Sequence, residues 1–294
     1  MSLHLNLLGT ETRYYDTGKY RTRVIEVKND KLPLILLHGG GGHAEAFARN
    51  LVPLSAVSRP MAIDFIWHGL SSKPDFWSKD PKAKRNWLNQ FTDQVIELMD
   101  HCGLKKAVIE GESLGGWIAA DMALHHPDRV AGIIFNTAWG MTFDPAKVKE
   151  DPGDLDKLRD SSIAALKNPS PGLIRKRMEW LMPLGGVTDE IVDLRLALWS
   201  RPETVKSLTT YYEHLFDKTI DSFLFNEDAI KRIRSKTLVL WTTHNPFQGV
   251  DAAQRLKELI PGSSLVIVDN AGHWPQWEKP QEHDRAVADF IRAL

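Results

Sequence analysis

A single cysteine, Cys102, in 294 residues excludes an internal disulfide and a cysteine-based zinc site. Neither sign of charge predominates. Against 38 acidic residues stand 37 basic ones, so the chain carries no electrostatic footprint for nucleic acid or an anionic membrane. Neither partner is expected, and a small-molecule ligand must be recognised by local groups. Long hydrophobic runs are also lacking: no segment approaches membrane-spanning length. The opening Met-Ser-Leu-His-Leu-Asn has neither the basic segment nor the apolar stretch of a signal peptide, so a soluble cytoplasmic protein is expected. Repeats and low-complexity tracts are absent. No His-x-x-x-His or Glu-flanked histidine pair offers a metal site, and the residues call for no cofactor.

What the chain does have is alternation. Short apolar runs at Arg21 to Val27, Leu34 to Leu37, Met61 to Asp64, Ala107 to Glu110, Val130 to Asn136, Thr237 to Trp241 and Ser264 to Val268 read as strands. Several are rich in Val, Ile and Leu without a period of two, as parallel strands covered on both faces should be. Helical patterns at Ala44 to Leu54, Lys84 to Cys102, Leu114 to His125, Asp251 to Leu259 and Pro280 to Ala293 fall between or after them. Strand and helix in turn predict an α/β fold with a mostly parallel, doubly wound sheet. The alternation stops between Met141 and Asn226. Helical stretches such as Arg175 to Met182 and Asp189 to Trp199 replace it, punctuated by Pro145, Pro152, Pro169, Pro171, Pro183 and Pro202. The expected organisation is a core of residues 1–140 and 227–294, with a helical cap, 141–226, inserted ahead of the strand at Thr237.

Gly111-Glu112-Ser113-Leu114-Gly115 joins a strand-like run directly to a helical one. This Gly-x-Ser-x-Gly spacing is that of a nucleophile elbow: a sharp turn strains its central residue, and the flanking glycines supply clearance. Ser113 is the candidate nucleophile. The Leu114 N–H, at the start of the helix, is a natural donor to a developing oxyanion. After Leu37, the loop His38-Gly39-Gly40-Gly41-Gly42-His43 brings backbone amides close without side-chain obstruction, making Gly40 or Gly41 the second donor. The loop lacks the Gly-Lys-Ser/Thr ending of a phosphate-binding loop and the spacing of a dinucleotide fingerprint. Asp64 and His68, in the turn after the Met61 run, read as structural.

His273 follows the last strand in Asn-Ala-Gly-His-Trp-Pro-Gln-Trp-Glu, residues 270–278. Serine first and histidine near the C-terminus is the chain order of the α/β-hydrolase fold, so His273 is the candidate base. An acid is expected in the loop after Thr237 to Trp241, and Asn245 stands there instead. A carboxamide can fix the tautomer of His273 but cannot stabilise an imidazolium by charge. Asp251, Glu112 and Asp144 remain open as substitute acids.

Gly-His-Trp-Pro-Gln-Trp-Glu at 272–278 resembles the Gly-His-Trp-x-Gln-Trp-Glu signature of the meta-cleavage product hydrolases, which split carbon-carbon bonds in ring-fission products of aromatic degradation. The likeness runs from about residue 20 to the end, cap included. It implies that Arg195, within Val187 to Arg195, holds a substrate carboxylate, and that Asn50, Trp274 and Glu112 belong to the substrate site. The chain departs from the family at Glu112, where asparagine is usual, and at Asn245, where the acid is. The implied reaction is attack by Ser113 on the C6 carbonyl of a 2-hydroxy-6-oxo-dienoate, with His273 assisting ketonisation and an acyl-enzyme as intermediate. An esterase or lactonase using the same groups, and a non-hydrolytic sensor or lyase-like protein, are the competing expectations. Family habit adds a possible homo-oligomer.

Overall fold

Eight strands form one sheet: β1 (Glu11–Asp16), β2 (Arg21–Glu26), β3 (Pro33–Leu37), β4 (Arg59–Ile63), β5 (Ala107–Glu112), β6 (Val130–Asn136), β7 (Thr237–Thr242) and β8 (Ser264–Val268). Their spatial order is β1-β2-β4-β3-β5-β6-β7-β8. The computed structural model describes residues 2–84, 86–148, 152–217 and 219–294, the side chains of 152–155 excepted. The β1–β2 and β2–β4 pairs are antiparallel and the other five parallel. Parallel neighbours need crossovers, and the longer helices are α1 (Asn89–His101), α2 (Leu114–His125), α3 (Pro152–Lys167), α4 (Pro171–Leu181), α5 (Asp189–Trp199), α6 (Pro202–Leu215), α7 (Val250–Leu259) and α8 (Pro280–Arg292). Because helices cover the sheet, every residue of β5 and β7 is buried. That is the origin of their unbroken apolar pattern.

Three local expectations are revised. The first strand, Glu-Thr-Arg-Tyr-Tyr-Asp, is nearly all exposed and lacks an apolar run; pairing with β2 and a charged edge make it a strand. The segment 44–54 is not one helix. It is a 3-10 turn, Ala44–Phe47, and a short helix, Leu51–Leu54. Ala44 N–H donates to Asp64 and Glu45 pairs with Arg23, contacts that hold the turn against the loop after β4. Likewise α1 starts at Asn89 rather than Lys84, because Asn86 Oδ1 accepts the N–H groups of Leu88 and Asn89 at 3.0 Å each.

The four helices α3 to α6 lie between β6 and β7, and an isolated bridge between Met141 and Phe225 joins the two ends of this insertion. Each of two helices buries an arginine on its apolar stripe. In α4 the buried residues are Ile174, Arg177, Met178 and Leu181; in α5 they are Ile191, Val192, Arg195, Leu198 and Trp199. Polar stitches fix the insertion over the carboxyl ends of the strands. Trp199 Nε1 donates to Gly41 O at 3.0 Å, Ser207 Oγ to Trp67 O at 2.7 Å, and His273 N–H to Leu181 O at 2.8 Å. The space left below is where ligands of such sheets bind.

Candidate active site

Ser113 occupies the one-residue turn between β5 and α2 with φ 51° and ψ −115°, a strained backbone for any side chain. The turn is possible because its neighbours lack Cβ atoms. One on Gly111 would lie 2.1 Å from the Gly115 carbonyl, and one on Gly115 would lie 2.2 Å from Leu37 O. Ser113 N–H donates to Asn136 O, and Ser113 O accepts from Trp139 N–H, so both neighbouring segments hold the elbow. Leu114 opens α2, where an amide has no partner within the helix.

A narrow cavity lies over this turn. Ser113, Leu114, Glu112, Arg195, His273 and Trp274 line it, together with Gly39, Gly40 and Gly42 of the loop after β3. Leu158, Leu181, Leu215, Trp139 and Phe247 give it an apolar wall. Within the loop, His38 is structural: its Nε2 accepts Phe65 N–H at 3.1 Å, and burial lowers its pKa to about 4, leaving it neutral.

His273 is held by the loop that follows β7. Its Nδ1 faces Asn245 Oδ1 at 2.8 Å, while Asn245 Nδ2 donates to Gln248 O at 3.0 Å. On its other side Nε2 lies 3.1 Å from Glu112 Oε1. Glu112 Oε2 accepts Gly39 N–H at 2.5 Å, tying the elbow to the glycine loop. Phe247 packs on the imidazole with ring centroids 4.6 Å apart.

Arg195 is 1 % exposed, and its Nε, Nη1 and Nη2 all lack a hydrogen-bond partner. Its guanidinium carbon lies 5.0 Å from the centre of the Trp274 ring. Burial, with a contribution from Arg177, pushes its pKa down to about 9. A guanidinium so placed demands an anion, and a carboxylate can satisfy two of its nitrogens at once.

Several sequence assignments need correction. Asn50 does not line the cavity. Its Nδ2 donates to Gln276 O at 3.0 Å and Asp284 Oδ1 at 2.8 Å, in a buried layer against α8 that also holds His283 and Glu110. Gly41 is not on the wall either, and its carbonyl is engaged by the Trp199 indole. Asp251 sits in the first turn of α7, and exposed Asp144 accepts Ala146 N–H. Neither meets His273. Glu112 does, but from the Nε2 side, so it cannot orient the ring through Nδ1.

Sequence reading missed Arg177, whose Nε donates to Ser162 Oγ at 3.0 Å and Nη2 to Tyr212 Oη at 3.1 Å. Tyr211 and Tyr212 of α6 also line the cavity, and both are buried. The available signal was periodicity: Arg177 falls three residues after Ile174 and four before Leu181, on the apolar stripe of its helix. Among the described residues no group of three or more His, Cys, Asp or Glu is placed to hold a metal ion. Nor is any helix long and apolar enough to cross a membrane.

The model of the alpha/beta hydrolase fold family matches residues 33–280. The chain belongs to this family. It is 27% identical over 274 residues to the 2-hydroxy-6-oxononadienedioate/2-hydroxy-6-oxononatrienedioate hydrolase 2 of Pseudomonas putida, covering 88% of this chain and 87% of that protein. The 2-hydroxy-6-oxo-2,4-heptadienoate hydrolase of Pseudomonas putida strain F1 is 25% identical over 290 residues, 97% of this chain and 94% of that one. Among solved structures, the 2-hydroxy-6-oxo-6-phenylhexa-2,4-dienoate hydrolase from Rhodococcus sp. strain RHA1 superposes with a TM-score of 0.83 at 21% identity, covering 96% of this chain and 99% of that chain. The fold is therefore shared over 96% of the chain.

Proposed function

We propose that this chain is a serine-dependent hydrolase that breaks the C5–C6 bond of a 2-hydroxy-6-oxo-dienoate. The observation that carries the reading is Arg195, a buried guanidinium with three unpartnered nitrogens in the same cavity as Ser113 and His273. A simple ester needs no such group; a dienoate brings a carboxylate to it. With the carboxylate on Arg195, the proton on the C2 hydroxyl moves to C5 with help from His273. This leaves a C2 ketone and a saturated C5 beside the C6 carbonyl. Ser113 Oγ bonds to C6 as its proton passes to His273, and the Leu114 and Gly40 amides are the donors for the oxyanion. The C5–C6 electron pair then withdraws toward the C2 ketone, and protonation of the departing fragment yields a 2-hydroxydienoate. Water hydrolyses the acyl group left on Ser113. Asn245 orients His273 through Nδ1, as its Oδ1 at 2.8 Å allows.

Residues 141–226 act as the cap that supplies Arg195, and the apolar wall takes the C6 substituent of an aromatic-derived carboxylate. A cytoplasmic location and a homo-oligomeric state complete the proposal. Turnover of a 6-aryl dienoate, followed by loss of its visible absorbance, is compared with that of a 4-nitrophenyl ester. The proposal expects the dienoate to have the higher kcat/KM. Ester turnover without dienoate turnover would replace it with an esterase or lactonase on the same groups.

A further inference from the structure

Two neighbours face the ring nitrogens of His273. Because Asn245 Nδ2 is committed to Gln248 O, the atom facing His273 Nδ1 is an acceptor, and Nδ1 must carry a hydrogen. A neutral ring then has only a lone pair at Nε2. Nε2 lies 3.1 Å from Glu112 Oε1, out of line for a hydrogen bond, so the two meet through charge rather than a shared proton. Glu112 has little freedom to avoid the contact: the side chain is 1 % exposed, Oε2 is held by Gly39 N–H, and Oε1 has no hydrogen-bond partner.

We propose that Glu112 supplies, from the Nε2 side, the counter-charge for the His273 imidazolium that a carboxylate at position 245 would supply from the Nδ1 side. The inference rests on the reading of Ser113 and His273 as nucleophile and base. Nε2 takes the Ser113 hydroxyl proton as Oγ bonds to its target, and the imidazolium so formed stands beside the Glu112 carboxylate. No other group around the ring makes this contact. Phe247 is apolar, and Asn245 is neutral. Arg195 from α5 carries positive charge and is itself attracted by Glu112. From the turn Pro275–Glu278, the Glu278 carboxylate accepts the N–H groups of Gly272 and Trp274 and interacts with the charge of the ring from beyond ion-pair distance. Leu181 O of α4 meets the His273 N–H rather than the ring. Among the described residues, Glu112 alone is an acid within ion-pair distance of the imidazole.

The test is the pH dependence of the rate at which a fluorophosphonate modifies Ser113, a step in which Oγ–P forms, fluoride leaves and the hydroxyl proton goes to His273. It needs no knowledge of the natural substrate. Wild type, Glu112→Gln, Asn245→Asp and the double variant are compared, with melting curves to check folding. Glu112→Gln should lower the plateau of the rate profile about tenfold or more, since it removes the charge beside the imidazolium that forms in this step. Adding Asn245→Asp to the Glu112→Gln variant should restore the plateau. In the wild-type background Asn245→Asp should increase the plateau less than about tenfold, because a counter-charge is already present. An unchanged plateau in Glu112→Gln would overturn the proposal. If that variant does not fold, Asn245→Asp alone decides: a plateau gain of about tenfold or more shows that the charge was missing. Wild-type protein that is folded but never labelled would remove the nucleophile reading itself, whereas labelling indifferent to Glu112 removes only this inference.

Discussion

Replacing Arg195 with methionine should make the free protein more stable and the enzyme nearly inactive. The guanidinium is buried, without hydrogen-bond partners, and lowered from 12.5 to about 9, mainly by burial and then by Arg177. The difference, 12.5 − 9, is about 3.5 units, which at about 1.36 kcal/mol per unit sets a ceiling of about 5 kcal/mol on the cost of keeping the charge there. Relaxation of the surroundings reduces that figure, and replacing buried charges with apolar groups of similar volume stabilises proteins by about 1–4 kcal/mol. For a chain of this size even about 1 kcal/mol raises Tm by about 2–4 °C. The sign with pH follows from a base whose folded pKa is depressed. Its cost is fully present at neutral pH and fades as pH rises through about 9, so the advantage of Arg195→Met should shrink there. Removing the partner of a buried substrate carboxylate costs about 2–5 kcal/mol, which is a loss of about 30-fold to 5,000-fold in kcat/KM. The assay is thermal unfolding of both proteins with and without the 2-hydroxydienoate product, alongside dienoate turnover. Wild type should be stabilised by the product and the variant should not. A variant that melts below wild type in the absence of ligand would refute the reasoning, since it would show that Arg195 contributes to the fold rather than burdening it.

Other substitutions separate architecture from chemistry. Gly115→Ala forces a Cβ to within 2.2 Å of Leu37 O, so unfolding free energy should fall by about 3 kcal/mol or more in denaturant titrations, with the elbow displaced. His283 lies between Glu110 Oε1 at 2.6 Å and Asp284 Oδ1 at 2.9 Å. Burial alone would lower its pKa, but these two carboxylates outweigh burial and raise it to about 10. Its contribution is therefore complete below the unfolded value near 6.5 and is lost as pH rises through about 10. His283→Gln should cost about 3–5 kcal/mol at pH 7, and the gap from wild type in melting experiments should narrow toward pH 10.

Much of the fold was legible because parallel strands buried on both faces write themselves as continuous Val, Ile and Leu runs, and because Pro-punctuated helices interrupt that pattern only once. Strand β1 was not legible, since its exposed, charged residues carry no burial signal and its place depends on pairing with β2. Ser113 and His273 could be found because strained turns and loop ends constrain local sequence. Arg195 could not be separated from an ordinary surface arginine by periodicity, and only the family signature pointed to it. Asn50 shows the opposite failure. A polar residue beside the glycine loop was assigned to the site, but its side chain turns into the layer shared with His283, a direction that no local pattern records. Glu112 stood out as a departure from the asparagine usual in the family. Which nitrogen of His273 it faces is a property of three distant loops meeting, and it became visible only in three dimensions.

The account stands most directly on Ser113 as the group that opens the dienoate. The decisive measurement is dienoate turnover by wild type and by Ser113→Ala of matched Tm, with mass spectrometry of the products. The expected result is consumption of the dienoate by wild type to a 2-hydroxydienoate and the carboxylic acid derived from C6, and a fall in kcat of about 10³-fold or more in the variant. Wild type that leaves the dienoate intact, or Ser113→Ala that cleaves it at a rate close to wild type, would contradict the account.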